Sequence, residues 1–163
     1  MVAISDLTAV RVNESGDQLY YDPNNDNNVY ILKDGDTNNT PILITDYGTA
    51  AYGLYSDYSS SDYISKRQVA AVEETTYTNS EGNTVSGYVL GIYSTYGTTG
   101  NLDTSYELVY VSSSGVIDWG TSTYSTSESS IINAEPEFNE DLNGDGFIGF
   151  DESLLTQKTT DVT

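Results

Sequence analysis

Over its first 120 positions the chain sets apolar residues in short runs, separated by polar, glycine-rich punctuation. That pattern predicts strands and turns, not helices. Val2, Ile4, Leu7, Val10 and Val12 alternate loosely and predict one or two short strands. A turn at Glu14-Ser-Gly-Asp17 precedes Gln18-Leu-Tyr-Tyr21, and the polar run Asp22-Pro-Asn-Asn-Asp-Asn-Asn28 separates it from Val29-Tyr-Ile-Leu32. Pro41-Ile-Leu-Ile-Thr45 predicts a further strand, and the Tyr-, Ser- and Gly-rich stretch 46–62 predicts loops with one short strand near Tyr52–Tyr55. The middle is sharper. Gln68–Tyr77 and Val85–Tyr93 flank an Asn/Gly turn at 79–84 and predict a β-hairpin. Ser105–Val111 alternates, with Tyr106, Leu108 and Tyr110 on one face and Glu107, Val109 and Val111 on the other. Across the turn Ser112-Ser-Ser-Gly115, Val116–Trp119 returns as a second hairpin.

After residue 120 the pattern changes. A Ser/Thr-rich stretch, 121–130, reads as a linker. Ser129 is placed to cap a short helix containing Ile131 and Ile132, and Pro136 limits how far that helix runs unbroken. Phe150, Leu154 and Leu155 predict a short exit helix ending near Lys158. The expected fold class is therefore mainly β. A β-rich body, 1–120, forms an antiparallel sheet or sandwich, and a short C-terminal helix-loop-helix calcium appendage spans 131–158.

Composition narrows the chemistry. The chain has 15 Tyr against 3 Phe and 1 Trp, and Tyr suits half-wet sheet faces. With 25 Asp and Glu against 5 Lys and Arg, a net charge of −20 repels nucleic acid and anionic membranes. Divalent cations or high external salt relieve such self-repulsion. Absence of Cys removes disulfides and thiolate chemistry, and absence of His removes the commonest general base and transition-metal ligand. No segment has the length and apolarity of a membrane span, so no membrane insertion is expected. The start lacks the basic and apolar regions of a signal peptide, which implies that the chain is a fragment or that its export signal lies elsewhere.

The segment Asp141-Leu-Asn-Gly-Asp-Gly-Phe-Ile-Gly-Phe-Asp-Glu152 carries the chemistry. Calcium takes six to eight oxygens, which a flexible loop supplies from alternate positions. Asp141, Asn143 and Asp145 stand at positions 1, 3 and 5, Gly146 makes the sharp turn, Phe147 offers its carbonyl, and Glu152 closes the site as a bidentate carboxylate. Gly149 at position 9 leaves that corner to water, and Ile148 offers an apolar plug to the core or to a paired loop. The expected cofactor is one Ca²⁺. A single loop argues for a structural staple and against a paired sensor. Asp22, Asn24 and Asp26, and again Asp34, Asp36 and Asn38, repeat the spacing, but without the glycine turn and the closing Glu they read as plain turns.

Glu135-Pro-Glu-Phe-Asn-Glu-Asp-Leu-Asn-Gly-Asp-Gly-Phe-Ile-Gly149 resembles the tryptophan-rich C-terminal domain family of cyanobacterial extracellular proteins. Val69–Glu73, Gly87–Leu90, Tyr106–Tyr110 and Ser114–Trp119 resemble that family's sheet elements, so the likeness spans about residues 68–150. Here Tyr stands where that family usually has Trp, leaving Trp119 alone. The calcium segment is also similar to dockerin-type loops, which come in tandem pairs. The resemblance implies a non-catalytic module of a larger extracellular or cell-surface protein.

Three functions are thereby set against one another. The first is a calcium-binding structural module for cell-surface, matrix or filament assembly, partnered by itself or by neighbouring modules through sheet edges near its N-terminus. The second is a calcium-stabilised carbohydrate-binding or adhesion module using Tyr47, Tyr52, Tyr55, Tyr58 and Tyr63. The third, a glycosidase with a carboxylate pair such as Glu73 and Glu107 on adjacent strands, is disfavoured. The expectation is that the chain is not an enzyme.

Overall fold

A computed structural model describes residues 2–11, 16–126, 128–138, 141 and 148–149. Eleven strands and one α-helix make up the described elements, after a 3-10 turn at Ile4–Asp6. Strands β1 (Thr8–Arg11), β2 (Gln18–Asp22), β3 (Asn28–Leu32) and β4 (Ile42–Leu43) form an antiparallel sheet in that order. A second sheet takes β7 (Ser56–Ser59), β8 (Tyr63–Thr78), β9 (Thr84–Thr98), β10 (Asn101–Ser112) and β11 (Ile117–Ser125) as an antiparallel meander. The small hairpin β5 (Thr45–Asp46) and β6 (Thr49–Ala50) lies between them in sequence.

The two large sheets face each other. Leu19, Val29 and Ile31 from the first pack with Val69, Val72, Leu90, Ile92, Val109 and Val111 from the second in one buried cluster. The body is a β-sandwich. Helix α1 (Glu128–Phe138) covers the other face of the second sheet, where Ala134 and Phe138 meet Ala71, Val89 and Tyr106. This explains β9: its stretch from Gly87 to Ile92 is buried throughout because it has protein on both sides. The expected split of β10 holds, with Val109 and Val111 in the inter-sheet core and Tyr106, Leu108 and Tyr110 toward the helix.

Several expectations change. The stretch 121–130 is not a linker: β11 runs through Ser125, pairing Thr123 with Leu108 and Tyr124 with Glu107, and α1 starts at Glu128. Thr and Tyr are strand formers, and the open edge of β10 gives them a partner. Ser129 lies inside α1, which continues past Pro136 to Phe138, because a proline in the last turn withholds only one intrahelical N–H. Residues 41–45 do not form one strand. Ile42–Leu43 pair with β3, whereas the Thr45 N–H donates to the Gly115 carbonyl at 2.7 Å, drawing the chain to the second sheet. Tyr52–Tyr55 is a turn, and the strand follows it at Ser56. Of the helix-loop-helix appendage only α1 is described; the exit helix lies outside the described residues.

Candidate metal centre and an aromatic groove

Of the proposed calcium ligands, Asp141 is described and half-buried; Asn143, Asp145, Phe147 and Glu152 lie outside the described residues. Among the described residues no three acidic side chains gather into a metal-holding group. What the structure adds is the anchor beneath the loop. Glu135, on α1, is 0% exposed, and its Oε2 accepts the Gly149 N–H at 2.8 Å. Gly149 has φ 77°, and a side chain there would put Cβ 3.0 Å from Pro136 Cγ. Position 9 of the loop is thus held against the helix by a buried carboxylate, and its lack of a side chain permits that approach. Ile148 does not plug the body's core. It is 49% exposed, because Gly149 and not its neighbour faces the helix.

The upstream acidic repeats make the bonds of Asx turns. Asp22 Oδ1 accepts the Asn24 N–H at 2.9 Å, and Asp26 and Asn27 take left-handed φ values of 51° and 54°. Asp36 accepts the N–H groups of Asn38 and Thr40 at 2.9 and 2.7 Å.

The carboxylates Glu73 and Glu107 do not pair. They sit on β8 and β10, with β9 between. Glu73 is level with Val89 on the helix side, whereas Glu107 shares the inter-sheet side with Val109. Glu107 instead accepts from Arg67 Nη2 at 2.6 Å, and Arg67 Nη1 donates to the Gly53 carbonyl at 2.9 Å.

The five tyrosines of the loop stretch also separate. Tyr55 stacks on Tyr21 with ring centroids 4.1 Å apart, a packing role. Tyr58 and Tyr63 lie on β7 and β8 at the end of the second sheet where β9 turns into β10. Tyr47 and Tyr52 project almost wholly into solvent.

Tyr47 belongs to a site that the pattern of the sequence did not reveal. At the other end of the second sheet, the β8–β9 turn, the β10–β11 turn and the β5–β6 hairpin enclose a groove of about 430 Å³. Asp46, Tyr47, Tyr77, Ser80, Asp118 and Trp119 line it. Trp119 Nε1 donates to Asp46 Oδ1 at 3.0 Å, across 73 positions of sequence. The Asp118 carboxylate accepts the N–H groups of Ser80 and Gly120 at 2.9 and 3.1 Å, tying the two turns together. Burial, reinforced by the negative charge of Asp118, pushes the Tyr77 hydroxyl above its ordinary pKa, so it stays protonated and remains a donor. The signal available in the sequence was Trp119 itself, the single Trp. Its exposure depends on a bulge in β11 opposite Val109, where Thr121 and Ser122 hydroxyls turn back onto the Asp118 carbonyl.

No family model, curated protein or solved structure matches this chain.

Proposed function

We propose that the chain is a calcium-stapled β-sandwich module of an extracellular or cell-surface protein, serving surface, matrix or filament assembly and not catalysis. The observation that carries this reading is the anchoring of Gly149 by buried Glu135, directly within the Asp141–Glu152 ligand pattern. In it, Asp141, Asn143, Asp145, the Phe147 carbonyl and Glu152 hold the ion. The ion supplies neutralisation: ligand carboxylates at Asp141, Asp145 and Glu152 repel one another in its absence, so ion binding and loop closure are coupled. Because α1 packs on the sheet through Ala134 and Phe138, closure of the loop is transmitted to the body. The acidic composition and the edge strand β1 favour association with like modules once cations screen the charge.

Calorimetric titration with calcium, paired with light scattering in calcium and in excess chelator, tests this. One ion per chain and calcium-dependent growth in size are expected. A saturating excess of about a hundredfold over Kd would stabilise the folded loop by about 2.7 kcal/mol. Absence of calcium uptake overturns the reading, and uptake by a monomer of constant size removes its assembly half.

A further inference from the structure

We propose that the groove between Tyr47 and Trp119 binds a neutral hexopyranose unit of an extended oligosaccharide. Such binding is a function beyond calcium stapling and uses none of the loop's residues.

Two aromatic side chains line the groove without belonging to either core cluster. Trp119 is 43% exposed, yet its indole is oriented by the bond to Asp46. Tyr47 is 91% exposed and sits at φ 47°, followed by Gly48 at φ 83°. Both loop residues of this hairpin need positive φ, a demand that Asn or Gly meets easily. A bulky side chain in the left-handed region costs about 1–2 kcal/mol, and so exposed a ring recovers little of it by burial. Folding gives no reason for tyrosine at this position. A ligand that stacks on it does.

The polar lining selects the ligand's chemistry. Asp118 commits its oxygens to backbone N–H groups and acts as wall. Asp46, a lining residue, uses Oδ1 for the indole, and its carboxylate has further acceptor capacity. The hydroxyls of Tyr47, Tyr77 and Ser80 add donor and acceptor capacity. Aromatic faces beside carboxylate and hydroxyl groups match a pyranose, which offers C–H faces to stack and hydroxyls at its rim. Two carboxylates in the lining and a chain charge of −20 repel uronates, sulfated sugars and phosphates. The volume lies within the roughly 300–1,000 Å³ usual for small-ligand sites. Tyr47 stands at the mouth, where it meets the next unit of the same chain, so oligosaccharides bind more tightly than single sugars.

Gly120 keeps the groove open. A Cβ there would lie 2.5 Å from Ser80 Cβ, closing the gap between the two turns.

The single Trp makes the test direct. The full chain in calcium is titrated with neutral hexasaccharides of β-1,4- and α-1,4-linked glucose, β-1,4-linked mannose and β-1,4-linked galactose, following Trp119 emission. At least one gives a saturable change, and a hexauronate gives a far weaker one. Tyr47→Ala removes one stacking partner and weakens binding about tenfold. Tyr124→Ala, on the opposite end of the sheet, leaves affinity unchanged. Affinity is also unchanged in excess chelator, so failure of sugar binding and failure of calcium uptake are separate results. The inference is overturned if none of the neutral sugars produces a saturable change or if Tyr47→Ala binds like the parent. Selective loss in Tyr124→Ala, or loss in chelator, overturns the placement in this groove.

Discussion

Glu135 and Gly149 are joined by a 2.8 Å hydrogen bond in which a fully buried helix carboxylate accepts the N–H of a loop glycine. A carboxylate without solvent is tolerated only where donors meet it. Its position on α1, between the packing residues Ala134 and Phe138, makes it the joint between body and loop. Glu135→Ala strands the Gly149 N–H and is expected to destabilise the fold by about 1–3 kcal/mol. It also weakens calcium binding, because the loop loses its support. Glu135→Gln keeps an acceptor oxygen and loses less on both counts. Thermal melts and calcium titrations of the two variants check this; equal behaviour of Ala and parent sinks the joint.

A second bond of the same kind crosses the inter-sheet side of the second sheet. Arg67 on β8 reaches Glu107 on β10 over Ser94 of β9, whose small buried side chain leaves room. The two side chains are 26% and 18% exposed, and Arg67 also holds the 51–55 turn through Gly53. Arg67→Met is expected to cost about 1.5–3 kcal/mol, leaving Glu107 half-buried and unpaired. Removing both charges in Arg67→Met/Glu107→Leu costs less than the single change. The exposed pair Lys66–Asp57, 2.9 Å apart, serves as the control, and Lys66→Ala changes stability by under about 1 kcal/mol. Urea unfolding of the four proteins decides it; a double variant worse than the single one contradicts the pairing.

These two joints differ in how far the sequence announces them. The faces of β10 were legible because Tyr106, Leu108, Tyr110 and Val109, Val111 obey a period of two. The hairpins were legible because Asn79, Gly82 and Gly115 mark their turns. Long-range partners left no such trace. Nothing local says that Glu107 meets Arg67 or that Trp119 meets Asp46, since the first depends on strand order and the second on a bulge. The 121–130 stretch misled because Ser and Thr serve linkers and edge strands alike, and only the open flank of β10 decides between them. The proposed metal pattern, by contrast, is local by nature, so the residues proposed for it come from spacing alone.

Gly115 is expected to be the most demanding of the turn glycines. Its φ is 91°, and an added Cβ would fall 2.2 Å from the Leu43 carbonyl oxygen, against backbone that cannot swing aside. Gly115→Ala therefore combines left-handed strain of about 1–2 kcal/mol with a clash. It also disturbs the acceptor of the Thr45 N–H, and with it the placement of Asp46 and Tyr47. Gly82→Ala, at φ 83° with nothing near its Cβ, suffers the strain alone. Chemical denaturation should rank Gly115→Ala well below Gly82→Ala, and equal losses would show that the close approach to Leu43 is not maintained in solution.

Asp17 gives the fold a pH dependence of unusual sign. Its carboxyl is buried beside β3, and that burial raises its pKa above the ordinary 3.8 more than the Asp34 N–H, at 2.7 Å, lowers it. Glu74 pushes in the same direction as burial, and Lys33 opposes it. The native chain therefore holds this proton more tightly than the unfolded chain does. Across the window from 3.8 up to the raised value, the native state binds more protons, and this group's contribution to stability falls as pH rises. Above that window its desolvation is a full penalty. Asp17→Asn keeps an oxygen for the Asp34 N–H and discards the charge, so it should be more stable than the parent at neutral pH. The advantage should shrink as pH falls through the window from the raised value toward 3.8, and be lost below it, where Asp17 is protonated in both states. Asp17→Ala also discards the charge but lacks the acceptor, so it should lie below Asp17→Asn by about 1–3 kcal/mol at every pH. Denaturant unfolding of the three proteins from about pH 3.5 to 7.5 reads these differences directly, and the shared carboxylates cancel between them. If Asp17→Asn proves less stable than the parent at neutral pH, the ionised carboxylate is a stabilising partner of Lys33 and Asp34, and those attractions outweigh the cost of burying it.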